Sequence, residues 1–181
     1  MNSVDEVEEM IPVIAPEHIK KEAQKKENEN IKFRTFLKCH AKEEELDQQF
    51  LDLHNELFEG YDCSKCRNCC KMYHGSIPVE DLERDAEKLK LSKEQFIAFF
   101  LKENEITGDY ETKHMPCDFL DEDGECKLGE NRPDSCKNYP YTNQPERLFS
   151  LYSVLESVEV CPVAFEIYER LKGEYRFRLK R

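Results

Sequence analysis

Cys63-Ser64-Lys65-Cys66-Arg67-Asn68-Cys69-Cys70 is the stretch around which the rest of the chain has to be read. A C-x2-C step turns the backbone so that two sulfurs can face one ion, and thiolate is the form that binds. Here the step occurs twice in succession, and a fourth cysteine follows at once. Lys65, Arg67 and Lys71 are interleaved with the cysteines and favour ionised sulfur. Adjacent side chains diverge along a backbone, so Cys69 and Cys70 are expected to serve different sites, or different metals of one binuclear site. The run alone cannot complete a four-ligand shell.

The missing ligands lie downstream. Cys117 and Cys126 bracket Asp123-Gly124, whose sequence predicts a tight hairpin that brings the two sulfurs together. Cys136 follows Arg132-Pro133, and Cys161 precedes Pro162. Three close cysteines with a remote Cys-Pro follow the ligand grammar of bacterial-type iron–sulfur proteins, which tips the reading towards a [4Fe–4S] cluster. Tetrahedral zinc uses the same donors, and eight thiolates could fill two four-ligand sites. The expected ligands are Cys63, Cys66, Cys69, Cys70, Cys117, Cys126, Cys136 and Cys161. Arg132 is expected behind them, donating to a sulfur or a carboxylate.

Composition narrows the setting. The chain has 181 residues, enough for one domain, and nine cysteines. Its 27 basic and 39 acidic side chains leave a net charge of −12, the wrong sign for a general nucleic-acid binder. The mean hydropathy is −0.80, and no apolar run is long enough for a membrane span. Met1 to Met10 is acidic, and the apolar residues after it are too few for a secretory signal. These features point to the cytoplasm, where a reducing environment keeps cysteines as thiols or metal ligands. The expected partners are a metal ion or cluster and a docked protein, with no nucleic acid and no membrane.

Periodicity organises the remainder. Leu46, Phe50, Leu53 and Leu57 mark one helix, and Val79, Leu82, Ala86 and Leu89 a second. Ser92 and Gln95 read as a capping box for a third helix, which carries Phe96, Phe99 and Phe100. Leu148 to Leu155 fits a buried helix or a strand, and Pro162 opens a last helix with Val163, Ile167 and Leu171. The fold class expected is mainly α with a small β hairpin, a compact domain organised around metal ligands. Residues 1–40 are read as a mobile or loosely docked arm, because Glu17 to Asn30 is nearly all polar. Residues 41–172 form the metal-binding domain and 173–181 a basic tail.

The cysteine run, Pro116-Cys117-Asp118-Phe119-Leu120, Cys126, Arg132-Pro133, Cys136, Tyr139-Pro140-Tyr141 and Cys161-Pro162 together resemble the YkgJ-type CxxCxxCC cysteine-cluster family. That resemblance implies a zinc- or iron-chelating domain with eight ligand cysteines and covers roughly residues 45 to 172. The cysteine motif is also similar to that of flagellin lysine N-methylases, which implies a cluster-dependent enzyme as an alternative. A structural zinc module that docks a partner is the third reading. Cys39 falls outside the motif and is read as an ordinary thiol. His74 and His114 are read as hydrogen-bonding side chains, since eight thiols suffice. Asp121, Glu122 and Asp123 are read as a solvated tip, and Tyr139, Tyr141 and Tyr152 as packing around the site.

Overall fold

The computed structural model describes residues 14–179. Three helices come first, α1 (Ile19–Lys25), α2 (Glu27–His40) and α3 (Glu43–Phe58). The expected stripe of α3 is its buried face, with Leu46, Phe50, Leu53 and Leu57 all inside. Residues 14–40, read from sequence as a mobile or loosely docked arm, place Ile19, Ala23, Phe33 and Leu37 in the same core. Residues 1–13 of that arm lie outside the described residues.

Docking of so polar a segment rests on more than its few apolar side chains. Lys172 is only 4 % exposed, and its Nζ donates to Asn30 Oδ1 at 2.6 Å and to Glu169 Oε1 at 2.5 Å. Lys26 pairs with the same Glu169. A satisfied polar network between elements holds charged groups inside that an isolated helix would have to hydrate. The basic end is similarly engaged. Arg170 donates to Glu56 Oε1 at 2.6 Å, and the Phe177 ring stands 5.0 Å from that of Phe33.

The cysteine run forms two single-turn helices, α4 (Cys63–Cys66) and α5 (Asn68–Met72), followed by β1 (Ser76–Ile77). Next come α6 (Leu82–Lys88), α7 (Lys93–Phe100), β2 (Leu101–Glu103) and β3 (Tyr110–Thr112). The capping box of α7 is present: Ser92 Oγ accepts from Gln95 N at 3.2 Å, and Gln95 Oε1 accepts from Ser92 N at 3.0 Å. Phe96 is buried beneath α7, whereas Phe99 is exposed. The strands make an antiparallel sheet in the order β1-β3-β2, with Glu111 opposite both Ser76 and Lys102. Under it lies a second, smaller core of Ile77, Leu82, Ala86, Phe96, Leu101, Phe119 and Leu128.

The β2-β3 pair is one hairpin, and the expected turn at Asp123-Gly124 closes a second, minimal one, with Gly124 N donating to the Asp121 carbonyl at 3.0 Å. Between Cys117 and Leu128 the pairing shrinks to one bridge, Leu120 with Cys126, because Phe119 and Leu128 on its two sides turn into the second core. After the short α8 (Asp134–Lys137), the ambiguous apolar stretch is helical, α9 (Leu151–Val158), burying Leu151, Val154 and Val158 at helical spacing. The last helix, α10 (Pro162–Glu174), packs on α3 and α9. Among the described residues no helix is long and apolar enough to cross a membrane.

Candidate metal centre

The run is held in place by its own local chemistry. Asp62 caps α4, its Oδ1 accepting from Ser64 N at 2.9 Å. Cys63 and Cys66, three residues apart, thus share one face of a helical turn. Arg67 then takes the left-handed conformation, with φ 45°, and reverses the chain into α5, which carries Cys69 and Cys70. A non-glycine residue accepts that conformation when its surroundings hold it there. Here they do: the Arg67 side chain is 8 % exposed, donating Nε–H to the Gly124 carbonyl and Nη2–H to Glu125 Oε2 at 3.1 Å. Gly124 has φ 79°, and a Cβ there would collide with the Ser64 carbonyl oxygen. The turn between Cys117 and Cys126 can press on α4 only because residue 124 is glycine.

Two further bonds join the run to the remote cysteines. Cys117 N donates to the Cys70 carbonyl at 2.7 Å, and Asn68 Nδ2 donates to the Val160 carbonyl, beside Cys161, at 2.7 Å. Arg132 Nη2 donates to the Cys136 carbonyl at 2.7 Å, so it steadies a cysteine through its backbone.

All eight motif cysteines line one pair of adjoining cavities. The first, about 70 Å³, is bordered by Cys63, Cys66, Cys69, Cys136 and Cys161. The second, about 30 Å³, is bordered by Cys70, Cys117, Cys126 and Cys136. Arg67 and Arg132 line both. The Cys69 and Cys70 sulfurs are 4.0 Å apart where the cavities meet. A cleft of about 380 Å³ opens beside that pair, walled by Tyr73, Tyr139 and Tyr141.

The residues fit a thiophilic metal. All of these cysteines are unpaired thiols. Gly75 lies beside two of them, in that a Cβ there would stand 3.7 Å from Cys117 Sγ and 3.9 Å from Cys136 Sγ, at ordinary contact distance. His74 Nδ1 and the Tyr139 hydroxyl, both on the cleft, are buried without hydrogen-bond partners. Even so, among the described residues no group of three or more His, Cys, Asp or Glu side chains is drawn together tightly enough to hold an ion. The thiols surround the cavities without closing on them.

Electrostatics follow burial. Loss of water pushes the Cys161 thiol up to about 12 and the Cys117 thiol up to about 11. Cys63 and Cys136 are also raised, chiefly by burial, with Arg132 pulling both the other way. The Cys69–Cys70 pair splits, with the hydrogen bond between them holding Cys69 high and Cys70 low. Arg132 and Arg67 face Cys70 and favour its thiolate.

Other residues singled out in the sequence stand elsewhere. Cys39 is exposed at the end of α2. His114 Nδ1 pairs with Asp118 Oδ1 at 2.7 Å, outside both cavities. Tyr139 and Tyr141 border the site as expected. Tyr152 does not: it is 66 % exposed, with the Arg34 guanidinium 3.6 Å from its ring centre. It lies on the outward face of α9, which a run of apolar letters could not orient. Of the interleaved cations only Arg67 faces the cavities. Lys65 pairs with Asp62 at 3.5 Å, and Lys71 donates to the Cys66 carbonyl at 3.1 Å. The left-handed turn at Arg67 and the place of Gly75 beside Cys117 and Cys136 had no signal in the sequence.

Neither a curated protein nor a solved structure matches this chain. A family model does, over residues 62–162, and its description is "Putative zinc- or iron-chelating domain". The matched span runs from the cap of α4 to the first residue of α10 and contains every cysteine bordering the two cavities. That is more than half of the sequence, and the chain belongs to the CxxCxxCC family.

Proposed function

We propose that this is a cytoplasmic metal-binding protein whose eight motif cysteines chelate zinc or iron, the iron as an iron–sulfur cluster. One observation carries the reading: eight unpaired cysteines from four separate stretches of chain border two adjoining cavities. Idle thiols of this number, scattered over almost 100 residues, would have no reason to converge. Cys63, Cys66, Cys69, Cys70, Cys117, Cys126, Cys136 and Cys161 would hold the metal. Arg67 and Arg132 would offset the negative charge that thiolate ligands retain. Zinc would supply rigidity, or Lewis acidity where a coordination position stays open, and an iron–sulfur cluster electron transfer.

Anaerobic purification followed by quantification of zinc, iron and sulfide tests the reading. Bound metal in the folded protein is the expected result; a folded, fully reduced chain that takes up neither would sink it. Visible absorbance that bleaches with dithionite selects the [4Fe–4S] form over zinc.

The open cleft beside Cys69 and Cys70 favours a second reading, in which the centre works on a bound molecule as in cluster-dependent enzymes such as the flagellin lysine N-methylases. Its support is the access the cleft gives to the sulfurs. Binding of S-adenosylmethionine by the metal-loaded protein is the outcome it requires. A purely structural zinc module docking a protein partner would instead leave the cleft without a ligand.

A further inference from the structure

We propose that the eight cysteines form two adjoining four-thiolate centres: Cys63, Cys66, Cys69 and Cys161 in one, and Cys70, Cys117, Cys126 and Cys136 in the other. The division rests on the chelating reading above and adds to it the membership of each centre.

The cavities draw the line. Cys63, Cys66, Cys69 and Cys161 border the larger one and are absent from the smaller, whereas Cys70, Cys117 and Cys126 border only the smaller of the two. Cys136 touches both, and Gly75 decides its side. The sulfurs of Cys136 and Cys117 converge on the same face of that glycine, at 3.9 and 3.7 Å from where a Cβ would be. At about 70 and 30 Å³ each cavity exceeds the roughly 10–15 Å³ that one water-sized occupant needs, so each has room for an ion.

Anchorage separates the sets as well. Cys161 is buried in the main helical core, and Asn68 ties the run to its neighbour Val160. Cys117 and Cys126 pack against the second core, and Cys117 is bonded directly to the Cys70 backbone. Each set is thus fixed to a different body of apolar side chains. They meet at the Cys69–Cys70 pair, whose sulfurs are 4.0 Å apart.

Charge at the seam supports two occupants. A divalent cation in four thiolates leaves a net −2, and two such centres side by side would repel. Arg67 and Arg132 both line both cavities, which puts positive side chains beside each set, Arg67 being also paired with Glu125. On loading, each divalent cation gains four Sγ bonds and four thiol protons leave to solvent, with no change of oxidation state.

The test uses the full chain, reduced and anaerobic, loaded with zinc and separately with cobalt(II). Two metal ions per chain are expected. Cys63→Ser/Cys66→Ser and Cys117→Ser/Cys126→Ser should each retain one, and the retained cobalt should keep the spectrum of a tetrahedral four-sulfur site. Cys136→Ser should add no further loss to the Cys117/Cys126 pair but should empty the Cys63/Cys66 pair. Where a double variant does not fold, by circular dichroism of its helices, Cys161→Ser and Cys126→Ser serve in its place. One ion per chain, lost from either folded variant, overturns the division and leaves chelation standing. No ion at all in the folded parent overturns the chelating reading beneath it.

Discussion

The core built on α3, α9 and α10 buries eighteen side chains, Phe33, Phe50 and Tyr168 among them, whereas the core beneath the sheet buries seven. Burying one large apolar side chain is worth about 1.5–3 kcal/mol, so the first region can offset its ordering entropy from its own contacts. The second has far less to draw on, its sheet consisting of strands two or three residues long. Small units with thin cores commonly need a metal or disulfide to persist. The cysteine cluster stands at the junction of the two. Cys161 belongs to the larger core, while Cys117 and Cys126 lean on the smaller. A bound metal on this view stabilises the two regions unequally.

Removing the metal should have the largest effect. Chelation of the loaded protein is expected to abolish hydrogen-exchange protection across α6, α7 and the sheet while α3 and α10 stay protected. Equal loss in both regions would show that one core cannot stand without the other.

Changing pH probes the same inequality with a definite sign. Cys161 and Cys117 have folded values raised to about 12 and about 11, against about 8.5 for a free thiol. A raised thiol value contributes stability below about pH 8.5 that is lost as pH rises through the folded value. The metal-free protein should therefore weaken on going alkaline. The metal-loaded form gains affinity over the same range, because protons no longer compete for sulfur. The gap in Tm between loaded and metal-free protein should widen from pH 7 to pH 10.

Among substitutions, Phe50→Ala in the larger core should cost about 3–5 kcal/mol in denaturant unfolding, with metal content per folded chain unchanged. Gly124→Ala should cost about 1–3 kcal/mol, since it adds a Cβ at φ 79° against the Ser64 carbonyl. Unlike Phe50→Ala, it should also lower metal content, by lifting the Cys117–Cys126 turn off α4. The smallest effect is expected from Ser92→Ala, which removes one capping bond of α7 for about 1 kcal/mol and leaves the metal in place. Metal loss from Ser92→Ala would mean the smaller core is coupled to the cysteines more tightly than its packing indicates.

Legibility divided along the range of the interactions involved. The α3 stripe, the α7 capping box and the opening of α10 at Pro162 were plain in the letters, because each depends on residues within a turn or two of one another. The C-x2-C run was equally visible from its spacing, whereas the four remote cysteines become candidates from the turn, the Cys161-Pro162 step and the resemblance. The docking of Ile19, Ala23 and Phe33 was not, since Lys172 and Glu169, which help hold that segment, lie more than 130 residues downstream. Nor was the three-stranded sheet, because its strands are two or three residues long and β1 pairs with β3 from a distant part of the chain.

By itself, then, the sequence determined a helical chain with a cysteine run at ligand spacing and four further cysteines downstream, because local periodicity and ligand spacing act over short stretches of backbone. Only the tertiary structure decided which cysteines border which cavity. That outcome depends on the left-handed turn at Arg67, the close approach of Gly124 to α4 and the meeting of two cores. Each is set by contacts between segments far apart in the chain, where no pattern in neighbouring residues can record them.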